Sequence, residues 1–218
     1  MRIEDYDKVI MIALDTLRAD HLGCYGHPFE TSPFIDKLAE EGSVFKECHA
    51  TDVPTPPSFT SLFCGERGLK NGIVGFENGY DEFDPSAPLL SEKYVYNGFR
   101  TGMISNLLYS TEWLVRGFKD IHPPGLSFQG GLAEEVTDEA INWLENYGKE
   151  DFFLFLHYWD PHVPYDLAPE KYKEMFSPED YSEMAPDVSL IEENDWLKAV
   201  FEKHCEKTGT PTDPKKIM

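Results

Sequence analysis

Val9-Ile10-Met11-Ile12-Ala13-Leu14-Asp15 sets the class of this chain. A continuous apolar run rich in β-branched residues reads as a strand buried on both faces of a parallel sheet, and it leaves Asp15 at the strand's carboxyl end. A second run of the same kind, Phe152-Phe153-Leu154-Phe155-Leu156-His157-Tyr158-Trp159, leads into Asp160-Pro161-His162. Between the two lie helix signals. Thr31-Ser32-Pro33 supplies cap residues and a first-turn proline, Phe34, Ile35, Leu38 and Ala39 share one face, and Gly42 ends that helix. Residues 44–50 can form a second strand. Residues 55–64 read as a helix with Thr55 as N-cap, prolines confined to its first turn and Gly65 as its left-handed stop. A helix over 88–97, a strand over 101–105 and an amphipathic helix carrying Leu132, Val136, Ala140, Trp143, Leu144 and Tyr147 follow. Strands alternating with helices predict an α/β fold, a largely parallel sheet flanked by helices.

The 218 residues are enough for one domain with a real core, and 41% hydrophobic content excludes a disordered or fibrous chain. Forty acidic against 19 basic residues give a formal charge of −21, which repels phosphate backbones and anionic lipid, so neither a nucleic acid nor a membrane is expected as partner. That acid is either a solvating shell or gathered around a cation site; composition leaves both open. Cys24, Cys48, Cys64 and Cys205 form no C-x-x-C pair, so neither a zinc site nor a disulfide framework is indicated and a reducing compartment fits. The N-terminus mixes both charge signs and its apolar run is too short for a signal peptide or a span, which makes a cytoplasmic protein the expectation. From Asp166 the chain turns polar and acidic, with Pro169, Pro178 and Pro186 and one predicted helix over 191–204. The expected division is therefore a sheet domain over 1–165 and an acidic surface excursion over 166–218.

In open α/β sheets ligands sit beyond the carboxyl ends of the strands. The polar residues expected there are Asp15, Thr55, Asp160 and His162, from three loops that converge on one site. A hydroxyl at a helix start lies among unpaired N–H groups at the positive end of the dipole, where an oxyanion is stabilised. A divalent cation held by Asp15 would lower the Thr55 hydroxyl pKa and make it a nucleophile. Plainer readings stand beside these. Thr55 can be a simple cap, Asp15 a turn residue and His162 an exposed histidine in a stiff loop. His157 reads as a satisfied core histidine, and Arg18, Asp20 and His21 as partners across a turn.

Four segments taken together resemble the sulfatase family of the alkaline phosphatase superfamily. Residues 9–26, Val9 through Asp15-Thr16-Leu17-Arg18-Ala19-Asp20-His21 to Gly26, look like its opening metal-binding strand and loop. Thr31-Ser32-Pro33-Phe34-Ile35-Asp36-Lys37-Leu38-Ala39-Glu40-Glu41-Gly42 is similar to the helix that follows. Pro54-Thr55-Pro56-Pro57-Ser58-Phe59-Thr60-Ser61-Leu62-Phe63-Cys64-Gly65 resembles the nucleophile element. Residues 152–165, with Asp160-Pro161-His162-Val163-Pro164-Tyr165 at their end, look like a later strand and loop. The resemblance implies an alkaline phosphatase/sulfatase-like fold, incomplete within this chain. It also implies metal-dependent cleavage of sulfuric or phosphoric esters of small molecules, glycans or lipids. Asp15 and Thr55 would be ligands of a divalent ion (Ca, Mn, Zn or Mg), Thr55 the nucleophile and His162 a contact to the transferring group.

The departures from the family pattern shape the chemistry. Thr55 stands where a Cys or Ser becomes formylglycine, Phe59 replaces an arginine, Thr16 a second metal-binding aspartate, and Asn106 a lysine. Threonine at the nucleophile position looks like the phosphotransferase, phosphodiesterase and phosphonate-hydrolase branches, which favours phosphoric esters. No later Asp-His or Asp-Asn metal motif follows His162, so the resemblance implies a missing C-terminal half or a second chain that completes the site. The alternative is a non-catalytic remnant that keeps the sheet and an anion-binding helix start.

Overall fold

In the computed structural model the aromatic run is the centre of the sheet. The structure describes residues 6–79, 81–125 and 131–162 and scattered single positions beyond them. The chain divides into two compact units, Met1–Trp159 and Asp160–Met218. In the first unit, β1 is Lys8–Leu14, β2 Arg100–Ile104, β3 Asp120–His122 and β4 Phe152–Tyr158. All pairings are parallel and the order is β1-β4-β2-β3. β4 therefore lies between β1 and β2, with Ala13 opposite His157 and Ile104 opposite Leu156. The parallel sheet and its flanking helices are the predicted fold class.

Alternation along β4 divides the core into two layers. Phe153 and Phe155 face one way, packed with Met103, Phe59, Phe63, Tyr94 and Phe118. Tyr94 stacks on Phe153 with centroids 4.4 Å apart, and Phe63 meets Phe155 edge-on at 5.0 Å. Such aromatic pairs add about 0.5–1.5 kcal/mol beyond their buried area. Phe152, Leu154 and Leu156 face the other way, against Ile104 and the Val136, Ala140 and Trp143 stripe of a helix over Ala133–Tyr147. The first layer is built largely by a helix over Thr55–Cys64, which buries Phe59, Phe63 and Cys64 and ends at Gly65 with φ +71°. Left-handed backbone of that kind is the usual reason for glycine after a helix.

Numbered along the chain, the helices are α1 (Pro33–Glu41), α2 (Thr55–Cys64), α3 (Gly68–Asn71), α4 (Leu90–Tyr96) and α5 (Ala133–Tyr147). Among the described residues no helix is long and apolar enough to cross a membrane.

Three expectations are corrected. Residues 44–50 form no strand; they are exposed throughout, Phe45 included, and pair with no strand among the described residues to satisfy a ladder. β1 is an edge strand rather than one covered on both faces, with Ile10 and Ile12 47% and 58% exposed. The apolar face of α1 is likewise open: Phe34 and Leu38 are exposed and no residue of that helix is buried. Most of 166–218, including most of the helix expected over 191–204, lies outside the described residues; the described positions Glu193, Asp195, Lys198, Ala199 and Glu202 are helical.

Candidate active site

β1 pairs with β4 one step beyond its own end, the Asp15 N–H donating to the Tyr158 carbonyl at 2.9 Å. The chain then turns at once, because Thr16 takes a left-handed φ of 57°. A β-branched residue there carries strain of about 1–3 kcal/mol, which tertiary contacts must hold in place. Asp15 itself is buried, only 7% exposed. Its Oδ2 lies 3.2 Å from Nε2 of His157, and Nδ1 of that ring lies 3.1 Å from Oδ1 of Asn106. The three residues follow or end β1, β4 and β2, at the carboxyl edge of the sheet where ligands sit in open α/β folds.

α2 is fastened to this edge. The Thr60 hydroxyl donates back to the Pro56 carbonyl at 2.7 Å and accepts the indole N–H of Trp113 at 2.9 Å. The Ser61 hydroxyl donates to Asp52 at 2.7 Å, which holds the Asp52 carboxyl below the usual carboxylate range, with help from Thr51, the Gly68 N–H and Arg67. Phe59 meets the His157 ring edge-on, centroids 5.0 Å apart. Thr55, half-buried, is four residues earlier on the same helix face. Phe59 is thus the residue of α2 that touches the ring held against Asp15. Phe59, which stands where the resemblance expects an arginine, is a core residue here rather than a group for an anion.

The helix start is narrower in its chemistry than spacing implied. Thr55 is the first residue of α2, not its N-cap; that place is taken by Pro54, and no side chain caps the helix. Pro54, Pro56 and Pro57 have no N–H, and Ser58 donates its own to the Pro54 carbonyl at 3.0 Å. Of residues 54–57 only Thr55 has a backbone N–H. The cluster of N–H groups expected for an oxyanion is thereby reduced to one, beside the Thr55 hydroxyl.

Asp160 and His162 fall in the second unit. Arg18 does pair with Asp20, Nε to Oδ1 at 2.9 Å, on the exposed turn after β1. A separate open groove beside α1 is lined by Cys24, His27, Glu30, Asp36 and Glu40 and includes neither Asp15 nor Thr55. There the Cys24 thiol is pushed up by burial and by Asp36, which keeps it protonated and a poor nucleophile.

Asp15 and Thr55 fit a hard divalent cation in kind, since both offer oxygen, but supply only two of the roughly six oxygens such an ion takes. Among the described residues no three of His, Cys, Asp and Glu stand together as a metal cluster. His157 and Asn106 are the members of the site that motif reading missed. The signal was a histidine inside an otherwise apolar strand, at its carboxyl end: a buried imidazole needs partners for both nitrogens, and the polar partners there lie at strand ends.

Sequence and structure comparisons agree on the lineage. The chain is 26% identical over 179 residues to the N-acetylglucosamine-6-O-sulfatase of Bacteroides thetaiotaomicron, a match covering 74% of this chain and 32% of that protein. It spans about a third to two fifths of the length of such curated relatives. A solved structure of a protein in complex with its substrate D-glucosamine-2-N,6-O-disulfate superposes with a TM-score of 0.66 at 22% identity, over 78% of this chain and 38% of the other. The phosphonate monoester hydrolase of Agrobacterium radiobacter superposes with a TM-score of 0.65 at 20% identity, over 79% and 44%. Both likenesses establish the fold. The sequence model named Sulfatase matches residues 7–204, nearly the whole chain, and on that match the protein belongs to the sulfatase family.

Proposed function

We propose that the protein serves a hydrolase or transferase of sulfuric or phosphoric esters in which the Thr55 hydroxyl is the nucleophile, with phosphoric esters preferred. The observation that carries this reading is the placement of Thr55 in the first turn of α2, on the helix face that packs through Phe59 against the ring holding Asp15. Attack by Oγ forms a threonine ester as the bond to the departing alcohol breaks, and the hydroxyl proton ends on that alcohol. Water then attacks the central atom and frees Thr55. A formylglycine hydrate can instead expel sulfate by collapsing to its aldehyde, a route closed to threonine. An ester that must be opened at its central atom is opened more readily at phosphorus, and this favours phosphate.

Asp15 and Thr55 would hold a divalent cation, which when bound neutralises charge on the ester and makes the hydroxyl more acidic. The single N–H at the start of α2 adds one donor for an equatorial oxygen. His162 as a contact to the transferring group rests on the resemblance of residues 152–165 to the family's later strand and loop, and glycan or small-molecule esters as substrates rest on the names of the relatives. The remaining cation ligands would come from chain corresponding to the rest of the relatives' length, in this polypeptide or another. A cytoplasmic location stays part of the proposal.

The test is release of nitrophenol from phosphate, phosphodiester, phosphonate and sulfate esters with Mn²⁺, Zn²⁺, Mg²⁺ or Ca²⁺ supplied. Phosphate-type turnover that disappears in Thr55→Ala supports the reading. That Asp15 and Thr55 bring only two oxygens, with no metal cluster among the described residues, favours the second reading, a non-catalytic anion-binding module, and a wild-type chain inert on every ester would favour it further.

A further inference from the structure

Asn106, His157 and Asp15 form a buried polar line across three neighbouring strands, and only Asp15 has a part in the chemistry proposed above. His157 is 1% exposed and Asn106 1%. The ring is walled by Phe59 at 5.0 Å, Trp159 at 5.9 Å and Phe155 at 6.3 Å between centroids. Packing of that kind fixes the ring plane, and both nitrogens are aimed at oxygen or amide groups rather than at solvent. An ionised carboxylate only accepts hydrogen bonds, so the contact to Asp15 requires the proton on Nε2. Asn106 can serve Nδ1 with either end of its amide, since the oxygen and nitrogen exchange by a half turn.

We propose that His157 is a positioning residue: it donates from Nε2 to Oδ2 of Asp15, Asn106 steadies its ring, and Oδ1 is left as the carboxylate oxygen offered to the cation. This rests on the ligand role proposed for Asp15. It also gives Asn106 a task at a position where the resemblance expects a lysine. Outer partners of this sort typically set metal affinity or activity by about 10–100-fold, because they fix the orientation of the ligating group.

Two measurements on the full 218-residue chain test the inference. Long-range ¹⁵N–¹H spectra of histidine-labelled protein should show His157 protonated at Nε2, with a hydrogen-bonded proton signal that moves upfield in Asp15→Asn. A bare Nε2 overturns the proposal, and so does a signal indifferent to Asp15→Asn. Binding of Mn²⁺ alone is then compared in His157→Gln, which keeps an N–H, and His157→Phe, which keeps the ring volume. The Phe variant should lose about 10–100-fold in affinity and the Gln variant only a few-fold. Equal losses in both mark a merely structural residue and overturn it. If Asp15→Asn abolishes binding while His157→Phe leaves it intact, the inference fails and the site reading stands. If the wild type binds no Mn²⁺, cation binding by Asp15 within this chain fails, and the Nε2 proton signal still decides whether His157 holds the carboxylate.

Discussion

Asp15 and His157 are 142 positions apart in the chain and 3.2 Å apart in the fold, carboxylate Oδ2 to imidazole Nε2. Their meeting depends on the parallel register of β1 with β4, in which Ala13 lies opposite His157 and the Asp15 N–H reaches the Tyr158 carbonyl. A slip of one residue in that register would turn His157 to the α5 face and separate the pair. The Asp15–His157 contact is thus a product of strand pairing, and changes to the sheet core should reach it.

Gly102 in β2 is one such place. A Cβ there would lie 2.7 Å from Cε2 and 2.8 Å from Cζ2 of Trp143, and 2.9 Å from Leu154. Trp143 is buried and tied by its indole N–H to Asp120 at 3.1 Å, so it cannot withdraw freely. Gly102→Ala should destabilise the fold by about 1–3 kcal/mol through overpacking. Urea denaturation followed by tryptophan fluorescence measures this, and an unchanged midpoint would show that α5 moves aside without cost.

Asp52 predicts a pH dependence. Its carboxyl is lowered in the folded chain, chiefly by the Ser61 hydroxyl. A lowered folded value means the carboxylate contributes stability above the unfolded value of about 3.9, and that this contribution is lost as pH falls through the folded value. Wild-type protein should therefore lose thermal stability on acidification below about pH 4 more steeply than Asp52→Asn. Parallel melting curves between neutral and acid pH would contradict the assignment.

Ile10 and Ile12 on the bare face of β1 predict a colloidal effect. An apolar edge strand is a template for association between chains. Ile10→Lys with Ile12→Lys should reduce light scattering and raise soluble yield, while changing stability by no more than about 0.5 kcal/mol per site. A large loss of thermal stability would mean that these side chains are covered in the folded protein.

Much of the frame was legible because its signals are local. Proline and glycine placement marks α1 and α2, a 3.6-residue stripe marks α5, and an unbroken aromatic run marks β4. Strands that depend on partners were less legible. Residues 44–50 have a strand's composition at one end and no neighbour to pair with, whereas β3, the three residues Asp120–His122, exists through its ladder with Gly102–Ile104 and carried no pattern of its own. In the site, Asp15 was legible from its place at a strand end. His157 reads as a core histidine in the sequence, and it is one; its connection to Asp15 comes from register, which no short stretch of sequence contains. The loss of N–H donors at α2 could have been read from Pro54, Pro56 and Pro57, but only once Thr55 is placed inside the helix rather than before it.

The central claim is that Thr55 forms a covalent ester during turnover. The direct measurement is mass spectrometry of acid-quenched protein incubated with nitrophenyl phosphate and Mn²⁺, with the peptide containing Thr55 sequenced. The account predicts a phosphoryl group on Thr55, absent from Thr55→Ala, whose turnover falls by at least about a hundredfold. Turnover that persists in Thr55→Ala, with no adduct on Thr55 in the wild type, would contradict it.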